Sequence, residues 1–421
     1  MRERWQEHKA TRRGERMVVP MEPSVVRRMT EADVDSAAAL QVNSFGGVLA
    51  DAVERFRGGP RYTWRDAWVI GERREIRALA IAIPVRWWFR GQAYPVSAIA
   101  SVAVRAVDRR RGLASTVMRA LLQAERDAGR PASLLYPFQH GFYRRLGYGT
   151  VGLMHYWRIP SAQLASQVSE RHAVRSMRED DRPAICELYQ RWLTHSGGLE
   201  RSAAQWDQRW AKGGEHWVVY DGSGGLFGYL AYRDVDRAIE LRELVAARPE
   251  AARGLWSFLG AQGEQRQEIR YHSAHGEPLW AQLGEPLMFE AANRGFVVND
   301  AAALTVSCMA RLVDLPVAFS RRPFPADVDG RFSLELRDPV FAPSGETVLV
   351  TLAGGQARVQ PHAGAADVRC GVGCLSQLFC GALTAAGARW YGLLEGTDEA
   401  VGLLDRAFPP GPLYVFPADW F

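Results

Sequence analysis

The stretch Val26-Arg27-Arg28-Met29-Thr30-Glu31-Ala32-Asp33 returns later as Val174-Arg175-Ser176-Met177-Arg178-Glu179-Asp180-Asp181, with five of eight positions shared (V-R-x-M-x-E-x-D). In each copy a short strand leads to an acidic helix start. A helical apolar pattern follows, AAALQVNSF in the first copy and PAICELYQRWL in the second. The repeat predicts a duplicated unit with helices and strands in each half. The 421 residues exceed one ordinary core, so two or three domains are expected.

Strands are expected at 67–70, 76–85 and 96–104, then a helix over Leu113–Ala128, a strand at 133–136 and a last strand near 151–158. The second copy predicts strands near 217–220, 226–233 and 238–245, then a helix from Gly254 to Gln262. A third segment starts near Arg311, with strands at 331–337 and 347–353 and an apolar helix over Leu375–Ala386. The expected class is α+β in three units. The expected borders are a flexible tail over 1–22, then units at 23–160, 161–310 and 311–421.

The opening residues are charged and lack an apolar core, so no signal peptide is expected. No stretch of about 18 apolar residues is present to span a membrane. Five cysteines in so long a chain do not make a disulfide scaffold, and a reducing cytoplasm is expected. The net charge of +5 is small and spread along the chain, which gives no footprint for nucleic acid.

The densest positive charge, Arg109-Arg110-Arg111-Gly112, stands between the strand ending Val102-Ala103-Val104 and the helix starting at Leu113. The first amides of a helix lack intrahelical partners, and its dipole favours an anion. Gly112 lets backbone approach a ligand, and the arginines add charge-assisted bonds. Together they form a seat for a pyrophosphate. No Gly-Lys-Ser/Thr follows, so this is not a P-loop, and a single glycine is not G-x-G-x-x-G.

The spacing Arg109-x-x-Gly112-x-Ala114 resembles the R/Q-x-x-G-x-G/A signature of the GCN5-related N-acetyltransferases (GNAT), which bind acetyl-CoA. The resemblance implies a bulged strand at Val102, Ala103 and Val104 that pairs with the pantetheine. It also implies that amides of Arg110, Arg111, Gly112, Leu113, Ala114 and Ser115 hold the pyrophosphate. In the second copy Arg253-Gly254-Leu255 is retained, Ala251 replaces the first arginine, and Trp256 replaces the small residue. A bulky indole there is expected to block the cofactor, leaving a degenerate domain.

Acetyl transfer from a thioester needs a base for the amine and an acid for the leaving thiolate. By residue type Tyr136, Tyr143 and Tyr148 are candidate acids and His140 a candidate base. The run His140-Gly141-Phe142-Tyr143-Arg144-Arg145-Leu146-Gly147-Tyr148-Gly149 is similar to a segment of the enhanced-intracellular-survival (Eis) acetyltransferases. Those enzymes join an active GNAT domain, a degenerate one and a sterol-carrier-protein-like domain. The third unit, with GRFSLELRD and DVRCGVGCLSQLFCGALTAAG, is similar to sterol-carrier sequences.

The resemblance implies that Tyr143 is the acid, that the α-carboxylate of Phe421 is the base, and that Phe138 and Gln139 contact the cofactor. It implies direct attack by a primary amine, with aminoglycosides or lysine side chains as acceptors, and a homo-oligomer, a hexamer in the family. Arg144 and His140 depart from the family's glycines at the rim. Two other readings stay open, a tandem acyl or aminoacyl transferase with another donor and a non-catalytic lipid-binding or regulatory protein. Cys370, Cys374 and Cys380 lack paired metal-ligand spacing and read as packed hydrophobes. No metal, nucleic acid or membrane is expected.

Overall fold

The computed structural model describes residues 25–72, 74–164, 170–263, 265–289, 299–411 and 413–421. The expected tail over 1–22 lies outside the described residues.

The first unit runs β1 (Val26–Arg28), α1 (Val34–Phe45), α2 (Leu49–Gly58), β2 (Ala67–Glu72), β3 (Glu75–Phe89), β4 (Gln92–Val104), α3 (Leu113–Asp127), β5 (Ala132–Leu135), α4 (His140–Arg144) and β6 (Gly149–Thr150). The second runs β7 (Leu153–Pro160), β8 (Val174–Ser176), α5 (Arg182–Ser196), β9 (Gly198–Leu199), α6 (Ala203–Ala211), β10 (His216–Gly222), β11 (Gly225–Val235), β12 (Ala238–Ala246), α7 (Pro249–Gly260), β13 (Glu268–Ala274) and β14 (Ala303–Val306). The third runs β15 (Met309–Leu312), α8 (Leu315–Arg321), β16 (Gly330–Asp338), β17 (Ala342–Ala353), β18 (Gln356–Pro361), β19 (Val368–Gly371), α9 (Val372–Phe379), α10 (Ala385–Trp390), β20 (Leu394–Gly396) and α11 (Asp398–Ala407).

The fold is α+β. Three mixed sheets carry the chain, in the orders β1-β2-β3-β4-β5-β15-β6 with β9 on β3, β14-β7-β13-β12-β11-β10-β8, and β18-β17-β16-β19-β20. The first two sheets exchange strands. β7 pairs with β13 of the second sheet, while β15 inserts between β5 and β6 of the first. No linear border describes that exchange. The third unit is fixed to β15 through Arg311, which is fully buried and donates to both Asp338 carboxylate oxygens at 2.8 and 2.7 Å.

The internal repeat has a physical basis. Arg27 grips Asp33 with two guanidinium bonds of 2.7 and 2.9 Å, and Arg175 grips Asp181 with the same pair of distances. Each aspartate also accepts the backbone amide three residues before it, Thr30 at 2.8 Å and Arg178 at 2.7 Å. The shared V-R-x-M-x-E-x-D thus ties a strand to the start of the helix that follows it.

The first sheet has two covered faces. Helices α1 and α2 pack on one, around Leu40, Phe56, Ile81 and Ala98. Helix α3 packs on the other, around Ala80, Ile99, Leu121 and Leu135. The expected helix over 375–386 is two helices, broken where Gly381 adopts φ +70 after Cys380.

Candidate active site

Opposite Ala80 of β3, strand β4 carries two residues, Ser101 and Val102, because the register steps from Ala103–Leu79 to Ala100–Ile81. This is a β-bulge, and Ser101 takes φ +51 to make it. Gln41 Nε2 holds the Ser101 hydroxyl at 2.6 Å. On its other side β4 pairs in parallel with β5 only over Ser97–Ile99. Past Ile99 and Leu135 the two strands part, and the β4 edge at Val102, Ala103 and Val104 is left without a β5 partner.

The parted edge runs into the arginine turn. Asp108 is 2% exposed and is held by Arg77 at 3.1 Å, Arg105 at 2.6 Å and Arg111 at 3.3 Å. Burial pushes its carboxyl up, but the bonds from Arg77 and Arg105 outweigh that and hold it below the usual range. Arg109 Nε donates back to the Val104 carbonyl at 3.4 Å. Arg110 takes φ +62, and Gly112 at φ +82 caps α3 from the left-handed region. No side chain caps α3, and among the described residues the amides of Leu113, Ala114 and Ser115 meet no backbone acceptor. Arg109, Arg110 and Arg111 are exposed around them. This donor set fits a pyrophosphate: free helix-start amides, an αL glycine and three guanidiniums.

Beyond β5, Phe138 and Gln139 are exposed and α4 begins. Tyr143 on α4 is 2% exposed, edge-on to Phe138, Phe142 and Tyr148 at 5.5, 4.9 and 5.9 Å. Burial pushes its phenol well above the ordinary tyrosine range. Tyr148 is spoken for, sharing a 2.7 Å bond with Ser133, and the Tyr136 ring lies tilted against that of Phe421. His140 Nε2 is buried with no hydrogen-bond partner.

A cleft of about 740 Å³ opens on the α2 side of the sheet, between α2, the second unit and residues 417–421. Phe421 lies there, with its ring 4.8 Å from that of Tyr136. The tail is pinned at several points. Asp419 is 6% exposed and accepts from Arg201 Nε at 2.6 Å, Arg201 Nη2 at 2.7 Å and the Tyr189 hydroxyl at 3.0 Å. Arg201 also clamps buried Glu243 at 3.0 and 2.5 Å. Arg61 donates to the carbonyls of Trp420 and Ala418 at 2.8 and 3.1 Å, and Arg242 to that of Pro417 at 2.8 Å.

Tyr143 belongs to the α3-side core with Ile99 and Leu135, whereas Phe421 packs in the opposite core with Ala98 and Ile83. Both reach residues just beyond β5, Phe421 through Tyr136 and Tyr143 through Phe138.

Family comparison agrees with this geometry. An acetyltransferase (GNAT) domain matches residues 25–151, a second acetyltransferase (GNAT) domain matches 197–313, and a sterol carrier protein domain matches 315–415. The chain is a GNAT-family N-acetyltransferase. An uncharacterised N-acetyltransferase of Streptomyces griseus is 23% identical over 322 residues, 69% of this chain and 73% of that one. A GCN5-related N-acetyltransferase from Kribbella flavida is 25% identical with a TM-score of 0.77, covering 94% of this chain and 100% of that one. Eis1 from Mycobacterium abscessus shares the fold, with a TM-score of 0.74, 18% identity and the same coverages.

The acetyltransferase's second domain keeps a bulge in β12, where the register steps at Arg242, but its helix start differs from expectation. Arg253 and Gly254 do not sit at the start of a helix. Helix α7 begins at Pro249, so they lie in its second turn, and Arg253 pairs with Glu170 at 2.7 Å. Trp256 does not cover the turn; it is 3% exposed, packed edge-on against Tyr271 at 5.6 Å. The domain lacks the anion seat for other reasons. Pro249 removes an amide, Glu250 places negative charge in the first turn, and no glycine caps the helix.

Sequence reasoning missed Asp108, Arg61, Arg201, Asp419 and Glu243. The partners of Arg61, Arg201, Asp419 and Glu243 lie far away in the chain, whereas Asp108 has Arg105 and Arg111 three residues to either side, and Asp419 lies within the aromatic ADWF ending. Among the described residues no group of three or more His, Cys, Asp or Glu could hold a metal ion, and no helix is long and apolar enough to cross a membrane.

Proposed function

We propose that the enzyme transfers acetyl from acetyl-CoA directly to a primary amine, with Tyr143 as acid and the Phe421 carboxylate as base. The observation that carries this reading is the unpaired β4 edge at Val102–Val104 running into the free amides Leu113–Ser115. The edge supplies backbone partners for an extended pantetheine. The amides of Arg110 to Ser115, with the exposed guanidiniums, take the pyrophosphate, and Phe138 and Gln139 close the far side. Acetyl-CoA supplies the activated thioester.

The residues of this chain then divide the proton work. The cleft presents the amine from the α2 side, where the Phe421 carboxylate accepts its proton, directly or through water. An α-carboxyl has a reference pKa near 3.5, so it is a weak base, and the rate follows the fraction of acceptor already neutral. Burial keeps the Tyr143 phenol protonated, so its proton is held ready for the departing sulfur. Holding both reactants across one strand gap supplies the positional part of the rate.

Aminoglycosides and lysine side chains remain the acceptor classes the Eis resemblance suggests. In the cleft, Asp51 and Glu54 are exposed carboxylates with no ion pair among the described residues, so they are available to a cationic acceptor. Asp419 and Glu215 are already held by arginines. A homo-oligomer in the cytoplasm completes the reading. Exposed Trp390, Tyr391 and Leu393 offer apolar surface for subunit contact, and a clean monomer in sedimentation refutes that part.

The test is thiol release from acetyl-CoA with a panel of primary amines. Turnover with amines, and less with propionyl- or longer acyl-CoA, supports the reading. A folded protein that binds acetyl-CoA and turns over no amine moves it to a binding role.

A further inference from the structure

The cleft beside Phe421 has walls of unlike charge. On α2, Asp51 and Glu54 outnumber Arg55. From the second unit come Arg201, Arg209, Lys212, Arg233 and Arg242, with two carboxylates, Glu200 and Glu215. Glu200 is taken by Arg86 and by the Trp88 indole, at 3.3 and 2.7 Å, and neither of those residues lines the cleft.

Some of these cations are answered. Arg201 has Glu243 and Asp419, Arg209 has Glu243 and Glu215, and Arg242 reaches Glu240 at 2.6 Å. Arg233, near the end of β11, is answered only in part. Its Nη2 stands 3.4 Å from Glu215, which already accepts from Arg209 Nε at 3.1 Å. Its Nε is buried and unpartnered, while the side chain as a whole stays 34% exposed. Lys212, just past α6, is exposed and makes no ion pair among the described residues. Arg61 enters from the loop after α2, and its two bonds go to the backbone carbonyls of Trp420 and Ala418. Burial pulls its guanidinium below the usual range, Asp419 opposing and Arg201 and Arg209 adding to the fall.

Inside a cleft, low-dielectric walls strengthen the field of charges left unanswered. A guanidinium fork matches two oxygens of a carboxylate or phosphate. A polycation entering here meets like charge on the second-unit wall. We propose that the acceptor amine also carries an acidic group, a carboxylate or phosphate, received by Arg233 and Lys212, with Arg61 adding a third positive charge from the α2 side. The proposal rests on the acetyl-transfer reading and narrows its acceptor: Asp51 and Glu54 attract the ammonium end, and the opposite wall takes the acid. Polycationic aminoglycosides are then the poorer acceptors.

The test sets each acid beside an uncharged twin: 5-aminopentanoate with 5-aminopentanamide, and 3-aminopropyl phosphate with 3-aminopropanol. Each pair is read twice, by kcat/KM in acetyl transfer and by calorimetric binding without acetyl-CoA. A preference of about tenfold or more for an acid, shrinking in added salt, supports the site, and the pair that shows it identifies carboxylate or phosphate. Turnover with no preference for either acid overturns the site and leaves acetyl transfer standing. Tighter binding of an acid with no turnover of any amine keeps the site and overturns acetyl transfer. No preference in either readout, or spermidine used better than both acids, overturns the site. In a double variant, Arg233→Gln with Lys212→Gln, checked for folding by circular dichroism, the acid-to-twin ratio falls at least fivefold. A merely structural loss lowers both members of a pair together, so an unchanged ratio also overturns the site.

Discussion

Asp419→Ala tests how the chain terminus is held. Asp419 and Arg201 are both nearly excluded from water, and two bonds of 2.6 and 2.7 Å join them. Removing one partner of a buried pair costs about 3–5 kcal/mol. Arg201 keeps Glu243, so the lower end applies, about 3 kcal/mol, or roughly two powers of ten in the ratio of docked to free tail. Carboxypeptidase release of Phe421, followed by mass spectrometry, reads the docking directly. The variant will lose Phe421 at least tenfold faster, and kcat/KM will fall before any digestion. Acetyl-CoA affinity will hold within twofold, because the arginine turn belongs to the α3 side of the sheet. A variant with a freely digested tail and full kcat/KM would refute the terminal carboxylate as base. A tail digested no faster than wild type would refute the ion pair as its anchor.

The remaining predictions are briefer. Burial raises Tyr143 above the ordinary tyrosine range, so kcat/KM will climb with pH as the acceptor amine loses its proton and show no Tyr143-dependent fall below about pH 10. A pH–rate profile with an alkaline limb near 8 that vanishes in Tyr143→Phe would count against this. Asp33 is drawn down to about 2, burial opposing and the Arg27 and Thr30 bonds prevailing. Its carboxylate therefore stabilises the fold by about 2 kcal/mol above pH 4, and that contribution fades between pH 4 and 2. Asp33→Asn should lose most of it at pH 7 and little at pH 2, read by urea unfolding. Gly112→Ala meets no atom within 4 Å but must adopt φ +82, costing about 1 kcal/mol. It should fold and bind acetyl-CoA several-fold more weakly by calorimetry. Arg110→Ala should weaken acetyl-CoA binding in a salt-dependent way, since Arg110 makes no ion pair among the described residues.

What was legible in the sequence was local. The strand, the arginine turn and Gly112 opening α3 lie within one continuous stretch, where spacing alone limits the conformations. The repeat was legible because Arg27–Asp33 and Arg175–Asp181 are separated by only six residues. The second copy's helix starts five residues before the expected Gly254, because Arg253-Gly254 looks like the first motif while Pro249 sets where α7 starts. The exchange of β7 and β15 between sheets could not be read, since strand pairing across such separations leaves no periodic trace. The same holds for the Arg201–Asp419–Glu243 clamp and for Arg61. Each joins segments that meet only after folding, and an arginine shows nothing of its partners until they arrive.

The central claim is that Tyr143 and the free carboxylate of Phe421 act together across the gap between β4 and β5. The most direct measurement is single-turnover acetyl transfer in wild type, in Tyr143→Phe, and in a chain extended by one alanine after Phe421, with acetyl-CoA affinity measured beside each. Both changes are predicted to slow transfer by at least a hundredfold while leaving acetyl-CoA affinity within threefold. Transfer at the wild-type rate in the extended chain would contradict the account.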